Sequence, residues 1–509
     1  MTANRCPSAL PATEPGDSLA GKFLSGTAWA FALRFSSRLF GLIRTVVLAR
    51  LLLPEDFGIV GLALLAVAVL EVLTQPGLQT ALIQKKSAVD GFLDSAWTVQ
   101  AMRGGLLFAI LFLSAPAVSG FFDSHALTPV LQVISLSVLI SGFGNIGVLF
   151  FQKQLELRKH FLYEFFSSLV DFAVSVLLAL ILRDFWALVW GGLAGNVTRL
   201  GLSYFLHPYR PRLRIAMHEV RELFAYGRWV FGSGILLFLI GQGDSLVVGK
   251  WLGVAALGFY QMAYLISNLP ATEIANALYQ VSLPLYSQMQ EDRARARRVY
   301  LGILQVSLVL AAPLAAAIAV LSGDIARVVF GPAWIPMAGT MQILSLAAFV
   351  RMLPAVTRPL LQGLGVPRTD TMVTLAGFAA LAVSILPLSL SYGIEGAAAA
   401  VLASSLVRAI GFGWAVRRAA GISVRSLFML FPAPVAGSGS LILALLALRG
   451  LADTLPGLLF LGLSFLAGCV AYALTVIFVD RLQDSSLTRT LREYLPHPVS
   501  VVFFRGTVR

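Results

Sequence analysis

Arginines recur inside stretches apolar enough to lie in hydrocarbon, and their spacing is helical. On a wheel of ~100° per residue, Arg34, Ser37, Arg38, Gly41, Arg44 and Thr45 fall within one arc of about 120°. Phe35, Leu39, Phe40, Leu42, Ile43, Val46 and Val47 fill the remainder, so this helix has a cationic side and an apolar side. Arg351, Arg358 and Gln362 form a second stripe, at i, i+7 and i+11, and Asn196, Arg199 and Ser203 a third, at i, i+3 and i+7. An ionisable side chain inside a bilayer is costly and faces a partner or a wet cavity. The guanidinium fork holds phosphate oxygens two at a time, so the chemistry on offer is recognition of an anion within the membrane. Snorkelling towards headgroups competes with that reading. It suits Arg44 and Arg199, near span ends, better than Arg38, which lies close to mid-span. Arg103, Arg228 and Arg408 stand alone, and either reading fits them.

Four carboxylates within the apolar stretches are the candidates for ion coupling or gating: Glu71, Asp171, Asp244 and Glu273. Glu71, Gln75 and Gln79 share a face, with Pro76 set to bend the helix, and Glu273, Asn276 and Gln280 form a similar stripe. The alternative for each carboxylate is a structural ion pair with a buried arginine. Nine arginines against these four carboxylates bias the interior towards anions.

These residues must be carried by membrane-spanning helices, each of which needs ~20 apolar residues. Fourteen stretches qualify, at roughly 23–49, 57–83, 95–121, 127–151, 161–182, 185–206, 226–249, 254–282, 299–321, 336–362, 371–391, 394–416, 427–448 and 455–479. The predicted class is therefore an all-α integral membrane protein. With the amino terminus in the cytoplasm, 24 Lys and Arg fall in cytoplasmic segments and 5 in the opposite loops, the asymmetry that sets orientation. Both termini are expected in the cytoplasm.

An internal repeat runs at an offset of 200 residues. Leu48-Ala49-Arg50-Leu51, Phe57-Gly58 and Ala63 align with Val248-Gly249-Lys250-Trp251, Leu257-Gly258 and Ala263, and Trp29, Phe31 and Gly41 with Trp229, Phe231 and Gly241. Six spans separate the copies, so the copies are parallel, an arrangement that places a transporter's site between its halves. The expected organisation is a tail over 1–21, an N-lobe over 22–206, a linker over 207–225, a C-lobe over 226–418, two further spans over 419–480 and a tail over 481–509.

Composition agrees. The chain of 509 residues is 58% hydrophobic and 12% charged, far from the roughly 25% charged residues of a soluble domain, and its mean hydropathy is +0.83. The net charge of +13 comes from residues between apolar segments, which argues against nucleic acid as partner. Cys6 and Cys469 imply neither a disulfide framework nor a metal site. Residues 1–21 lack the apolar core of a signal peptide, so the first span is expected to act as the insertion signal. No metal-ligand spacing, nucleotide-binding glycine loop or nucleophile elbow is present, and the five histidines, at 125, 160, 207, 218 and 497, lie in loops or near span ends. A transporter without metal or cofactor is expected, with a membrane-embedded polymerase or acyltransferase as the rival from another class.

Leu48-Ala49-Arg50-Leu51-Leu52-Leu53-Pro54-Glu55-Asp56-Phe57-Gly58, followed by Gly77-Leu78-Gln79-Thr80-Ala81-Leu82-Ile83-Gln84, resembles the start of Wzx-type polysaccharide flippases. Arg358-Pro359-Leu360-Leu361-Gln362-Gly363-Leu364-Gly365 is similar to the matching part of their second half. These flippases belong to the multidrug/oligosaccharidyl-lipid/polysaccharide exporter superfamily. The resemblance implies two six-helix lobes around a central cavity with two carboxy-terminal helices beside them. It also implies a cargo of undecaprenyl-diphosphate-linked oligosaccharide, carried from the cytoplasmic to the periplasmic leaflet of a bacterial inner membrane for lipopolysaccharide or exopolysaccharide synthesis. Polysaccharide polymerase and glycosyltransferase partners follow from the same resemblance. Within the superfamily a lipid II flippase is the near alternative. A drug or organic-cation antiporter is the far one, since a cation would favour an acid-lined cavity. The cavity residues expected to meet diphosphate and sugar are Arg34, Arg38, Arg44, Arg199, Arg351, Arg358 and Gln362.

Overall fold

Long apolar runs become helices because hydrocarbon offers backbone N–H and C=O groups no partner outside the segment itself. The structure is a computed structural model that describes residues 39–74, 93–153, 156–214, 216, 235, 238–289, 292–451 and 455–482. Among these residues every regular element is helical. Eight helices have the length and apolarity to cross a membrane; the described residues do not establish the expected total of fourteen. The chain divides into two compact units, Met1–Gly258 and Phe259–Arg509.

In the first unit, α1 is described over 39–51, followed by α2 (Pro54–Thr74), α3 (Leu93–Phe121), α4 (Leu127–Gly142), α5 (Leu157–Leu182) and α6 (Trp186–Leu206). α7 covers 238–252 and ends in a π-helical turn at Val248–Leu252. The expected fourth span is interrupted: after α4 the chain leaves the helix at Gly144 and Asn145 and re-enters through a short 3-10 turn, Ile146–Val148, into Leu149–Lys153. Asn145 causes this by capping the turn, its Oδ1 accepting from the Gly147 N–H at 2.9 Å.

After α6 the chain is strapped across the start of α3. Tyr209 donates its hydroxyl to Asp94, the Arg212 N–H reaches the same carboxylate at 3.1 Å, and the Arg214 and Ala216 N–H groups bond Thr98 and Ser95, each at 3.1 Å. The Asn145 amide holds the Tyr209 carbonyl at 2.7 Å. His207, 8% exposed, stacks on Phe150 and accepts the Tyr209 N–H at Nδ1, at 3.2 Å.

The 200-residue repeat reappears as a contact within this unit. A Cβ on Gly58 would meet the Val254 carbonyl oxygen at 1.9 Å, and a Cβ on Gly258 would meet the Pro54 carbonyl oxygen at 1.9 Å. Pro54 aligns with Val254, and Gly58 with Gly258. Equivalent positions of the two copies therefore touch each other reciprocally, as a local two-fold relation requires.

α8 (Val254–Ser287) leads into the second unit, which continues with α9 (Arg293–Asp324), α10 (Ala338–Val350), α11 (Met352–Gly363), α12 (Pro367–Ala420), α13 (Pro432–Leu448) and α14 (Gly457–Leu482). α12 is two arms, matching the expected spans 371–391 and 394–416. The reversal needs Gly393, at φ 60 and ψ −139, a conformation closed to a residue with a Cβ. Close approach follows: a Cβ on Gly396 would lie 1.9 Å from the Leu388 carbonyl oxygen. The core packs α8, α9, α10 and α11 around Tyr286, Tyr300, Leu304, Met352 and Leu360, with Val416 from α12.

Candidate functional site

In the first unit α5 supplies the carboxylates. Glu164, Asp171 and Ser175 recur at i, i+7 and i+11, on one face of the helix. Arg44 of α1 reaches Asp171 Oδ1 at 3.0 Å and donates to Ser175 Oγ at 3.2 Å, while Ser175 donates to the same Asp171 oxygen at 3.2 Å. Arg199 of α6 pairs with Glu164 at 2.9 Å, its guanidinium 5.9 Å from the Tyr163 ring centre. Glycines on α6 bring that helix onto the same face: a Cβ on Gly191 would lie 1.8 Å from Ser175 Oγ, and one on Gly195 2.9 Å from Asp171 Cβ.

Other candidates in this unit are placed differently. Arg103 of α3 donates to the Glu71 carbonyl oxygen at 3.0 Å and to Thr74 Oγ1 at 3.1 Å, tying α3 to the end of α2. The Glu71 side chain is exposed. Asp244 on α7 is 3% exposed and accepts the Ser245 N–H at 2.7 Å. Arg34, Arg38, Gln75, Pro76, Gln79 and Arg228 lie outside the described residues.

The second unit gathers arginines from three helices. Arg351 ends α10; its guanidinium donates to Asn268 Oδ1 and, at 3.4 Å, to the Tyr264 hydroxyl, and lies 5.6 Å from the Tyr264 ring centre. Arg358 of α11 turns instead to Asp370 in the first turn of α12, Nε to Oδ1 at 3.1 Å. Gln362, one turn further along, donates to the other oxygen of Asp370 at 3.2 Å and accepts from the Tyr279 hydroxyl at 2.9 Å. Thr374 completes the carboxylate's partners at 3.4 Å. Glu273, on α8, is half-buried. Arg408, isolated in the sequence, packs its stem against Gly377 of the first arm of α12.

Glu164 and Asp370 are the residues that helical periodicity passed over. Glu164 sits at the start of the expected fifth span, on the face of Asp171 and Ser175, and Asp370 sits just ahead of the expected eleventh span, so both read as charges at helix ends. With them each arginine's partners can be compared. In the first unit Arg44 and Arg199 are each matched by a carboxylate, and Arg103 rests on neutral oxygens. In the second, among the described residues, Arg351 rests on neutral partners, Arg358 is matched by Asp370, and no carboxylate pairs with Arg408. That arrangement can hold an anion.

Residues 47–339 match the family described as polysaccharide biosynthesis protein. The chain belongs to that family. Two curated relatives are each similar over about two thirds of this chain. One is the lipopolysaccharide biosynthesis protein WzxC of Escherichia coli (strain K12), 24% identical over 340 residues, 66% of this chain and 68% of WzxC. The other is the succinoglycan biosynthesis transport protein ExoT of Rhizobium meliloti (strain 1021), 27% identical over 330 residues, 64% of this chain and 66% of ExoT. Among solved structures, the lipid II flippase MurJ in an inward closed conformation covers 89% of this chain and 99% of its own length, with a TM-score of 0.71 at 15% identity. That likeness establishes a shared fold.

Proposed function

We propose that the protein flips a lipid-linked oligosaccharide, built on undecaprenyl diphosphate, from the cytoplasmic to the periplasmic leaflet of a bacterial inner membrane. The observation that carries this is the family match over residues 47–339, joined to relatives named for lipopolysaccharide biosynthesis and succinoglycan transport. The chemistry supports it. A diphosphate and a run of sugar hydroxyls cannot cross hydrocarbon without large desolvation costs, so they need a polar, cationic path while the lipid tail stays in the bilayer. Arg351 and Arg408 carry charges without a carboxylate partner, and their guanidinium groups suit phosphate oxygens. Sugar hydroxyls would find donors and acceptors in Gln362, Tyr279 and Asn268.

The mechanism is alternating access between two lobes, 22–206 and 226–418, with the cargo exchanged between them. Arg34 and Arg38 are its contacts in the first lobe. A membrane potential negative inside favours outward movement of an anion by ~2.3 kcal/mol per charge per 100 mV, so a dianion gains about 4–5 kcal/mol per 100 mV. Glu71, Asp244 and Glu273 are the carboxylates at which a proton or cation would add to that drive. Polymerase and glycosyltransferase partners would supply and consume the repeat unit on either side.

Deleting the protein and analysing lipid-linked intermediates tests the function. Complete single repeat units should accumulate facing the cytoplasm, and their composition would name the sugar. Accumulation of a peptidoglycan precursor instead would make the protein a lipid II flippase. Normal surface polysaccharide with no accumulated intermediate would overturn the proposal.

A further inference from the structure

Arg408 lies on the second arm of α12, where Ser404, Arg408 and Gly411 face the first arm at i, i+4 and i+7. Ser404 Oγ donates to the Gly377 carbonyl at 2.8 Å, and a Cβ on Gly377 would meet Arg408 Cγ at 2.3 Å and Cδ at 2.7 Å. A Cβ on Gly411 would meet Val373 Cγ1 at 2.7 Å. The arginine stem is thus seated in the space that a glycine leaves open, and its direction is set by that seat. Its Nε is buried and meets no hydrogen-bond partner. A buried guanidinium nitrogen left unpaired is expensive, and such a group in a native fold calls for an explanation.

The nearby carboxylate does not provide one. Asp370 already serves Arg358, Gln362 and Thr374, and seven residues of helix, roughly 10 Å, separate it from Gly377 along the arm. Arg199 shows the same unpaired Nε, but Glu164 matches its charge. Arg408 alone among these combines an unpaired buried nitrogen, a shaped seat and a charge that no described carboxylate pairs.

Building on the flippase reading, we propose that Arg408, its stem seated over Gly377, is the contact of the second unit for a phosphate or diphosphate group, and that Arg358 is a positioning residue tied to Asp370. Arg408 donates through its terminal nitrogens to the anion's oxygens, the buried stem and Nε fixing their direction. The site takes a tetrahedral dianion or a diphosphate ester in preference to a monovalent carboxylate.

Binding of inorganic pyrophosphate to the full-length protein in nanodiscs tests this, beside translocation of lipid-linked oligosaccharide in proteoliposomes. Arg408→Gln should weaken pyrophosphate by ~10-fold or more, the scale of one charge-assisted hydrogen-bond pair. Gly377→Ala leaves every charge in place but fills the seat, and should weaken it comparably. Asp370→Asn should bind at least as tightly as the parent. Thermal unfolding of each variant distinguishes lost binding from lost fold, and Arg408→Lys, expected to recover part of the affinity, provides a second variant with the charge retained. Equal pyrophosphate affinity in the parent, Arg408→Gln and Gly377→Ala would overturn the assignment, as would a parent that binds no pyrophosphate while translocating its cargo. Failure of the flippase reading is a separate result: pyrophosphate binding that depends on Arg408 in a protein that translocates no lipid-linked oligosaccharide.

Discussion

Asp171 and Arg44 are each other's counter-ion. The wheel placed Arg44 on a cationic stripe aimed at cargo, and Asp171 was a candidate for ion coupling. The two are 3.0 Å apart and only 26% and 24% exposed, so each accounts for the other's charge. Asp171→Asn should therefore lower stability by roughly 1–3 kcal/mol, between the values for exposed and buried pairs, and leave the ion dependence of any remaining transport unchanged. Thermal unfolding in detergent reads the first effect, and vesicles with imposed pH, sodium and voltage gradients read the second. A transport rate that no longer responded to one gradient in Asp171→Asn would restore it as a coupling site. Glu71 is the contrasting case. Its exposed side chain makes Glu71→Gln nearly silent for stability, within ~0.5 kcal/mol, so a loss of gradient response in that variant would report coupling directly. The pairs themselves were not legible in the sequence. Arg44 and Asp171 are 127 positions apart and Arg199 and Glu164 are 35 apart, distances at which helical periodicity carries no information about contact.

At the scale of the element, apolar run length located the helices and glycine and charge located most of their ends. The expected spans over 95–121, 161–182, 185–206 and 455–479 differ from α3, α5, α6 and α14 by a few residues at either end. What run length missed was the break after α4 and the strap over the start of α3, because both depend on side-chain bonds to backbone groups far along the chain. The strap has a pH response that follows from its chemistry. His207 lies outside α6, and burial holds its imidazole below the usual histidine range, with Lys159 and Arg210 acting in the same direction and Glu156 opposing them. A depressed folded-state value means that the unfolded chain takes up the proton first. The strap's contribution is therefore complete above the ordinary histidine pKa of ~6.5 and is lost as pH falls through the lower folded value. Protonation also removes the Nδ1 acceptor of the Tyr209 N–H. Tyr209 does not titrate in this window, since burial and the Asp94 carboxylate raise its phenol further above neutrality. Protection of the Tyr209, Arg212 and Arg214 amides against hydrogen exchange, taken relative to the intrinsic rate at each pH, should decrease at pH below the ordinary histidine pKa of ~6.5, while the α5 amides stay protected. His207→Gln keeps an acceptor without a titrating ring and should flatten that response; an unchanged loss of protection in this variant would exclude His207 as its source.

For the whole molecule, the informative sequence feature was the 200-residue repeat, and its imprint in the structure is the reciprocal packing of Gly58 on Val254 and Gly258 on Pro54. A chance alignment of apolar segments would not bring equivalent positions into equivalent contact. Parallel copies require an even number of spans between them, which ties the repeat to the orientation given by the Lys and Arg bias. Both termini should be cytoplasmic. Reporter fusions after Asp123, Gly253, Gly331 and Asp453 should therefore score periplasmic, and fusions after Lys86, His160, Glu219 and Arg295 cytoplasmic. The ion pair between Lys250 and Asp123, at 2.8 Å, gives an internal check, because it obliges the fusions after Asp123 and Gly253 to report the same side. If those two agreed with each other but the fusion after Glu219 agreed with them as well, the chain between Glu219 and Gly253 would cross the membrane an even number of times, and the seventh span would not be a single crossing. The copies could not then be parallel, and the transport mechanism would need a different symmetry.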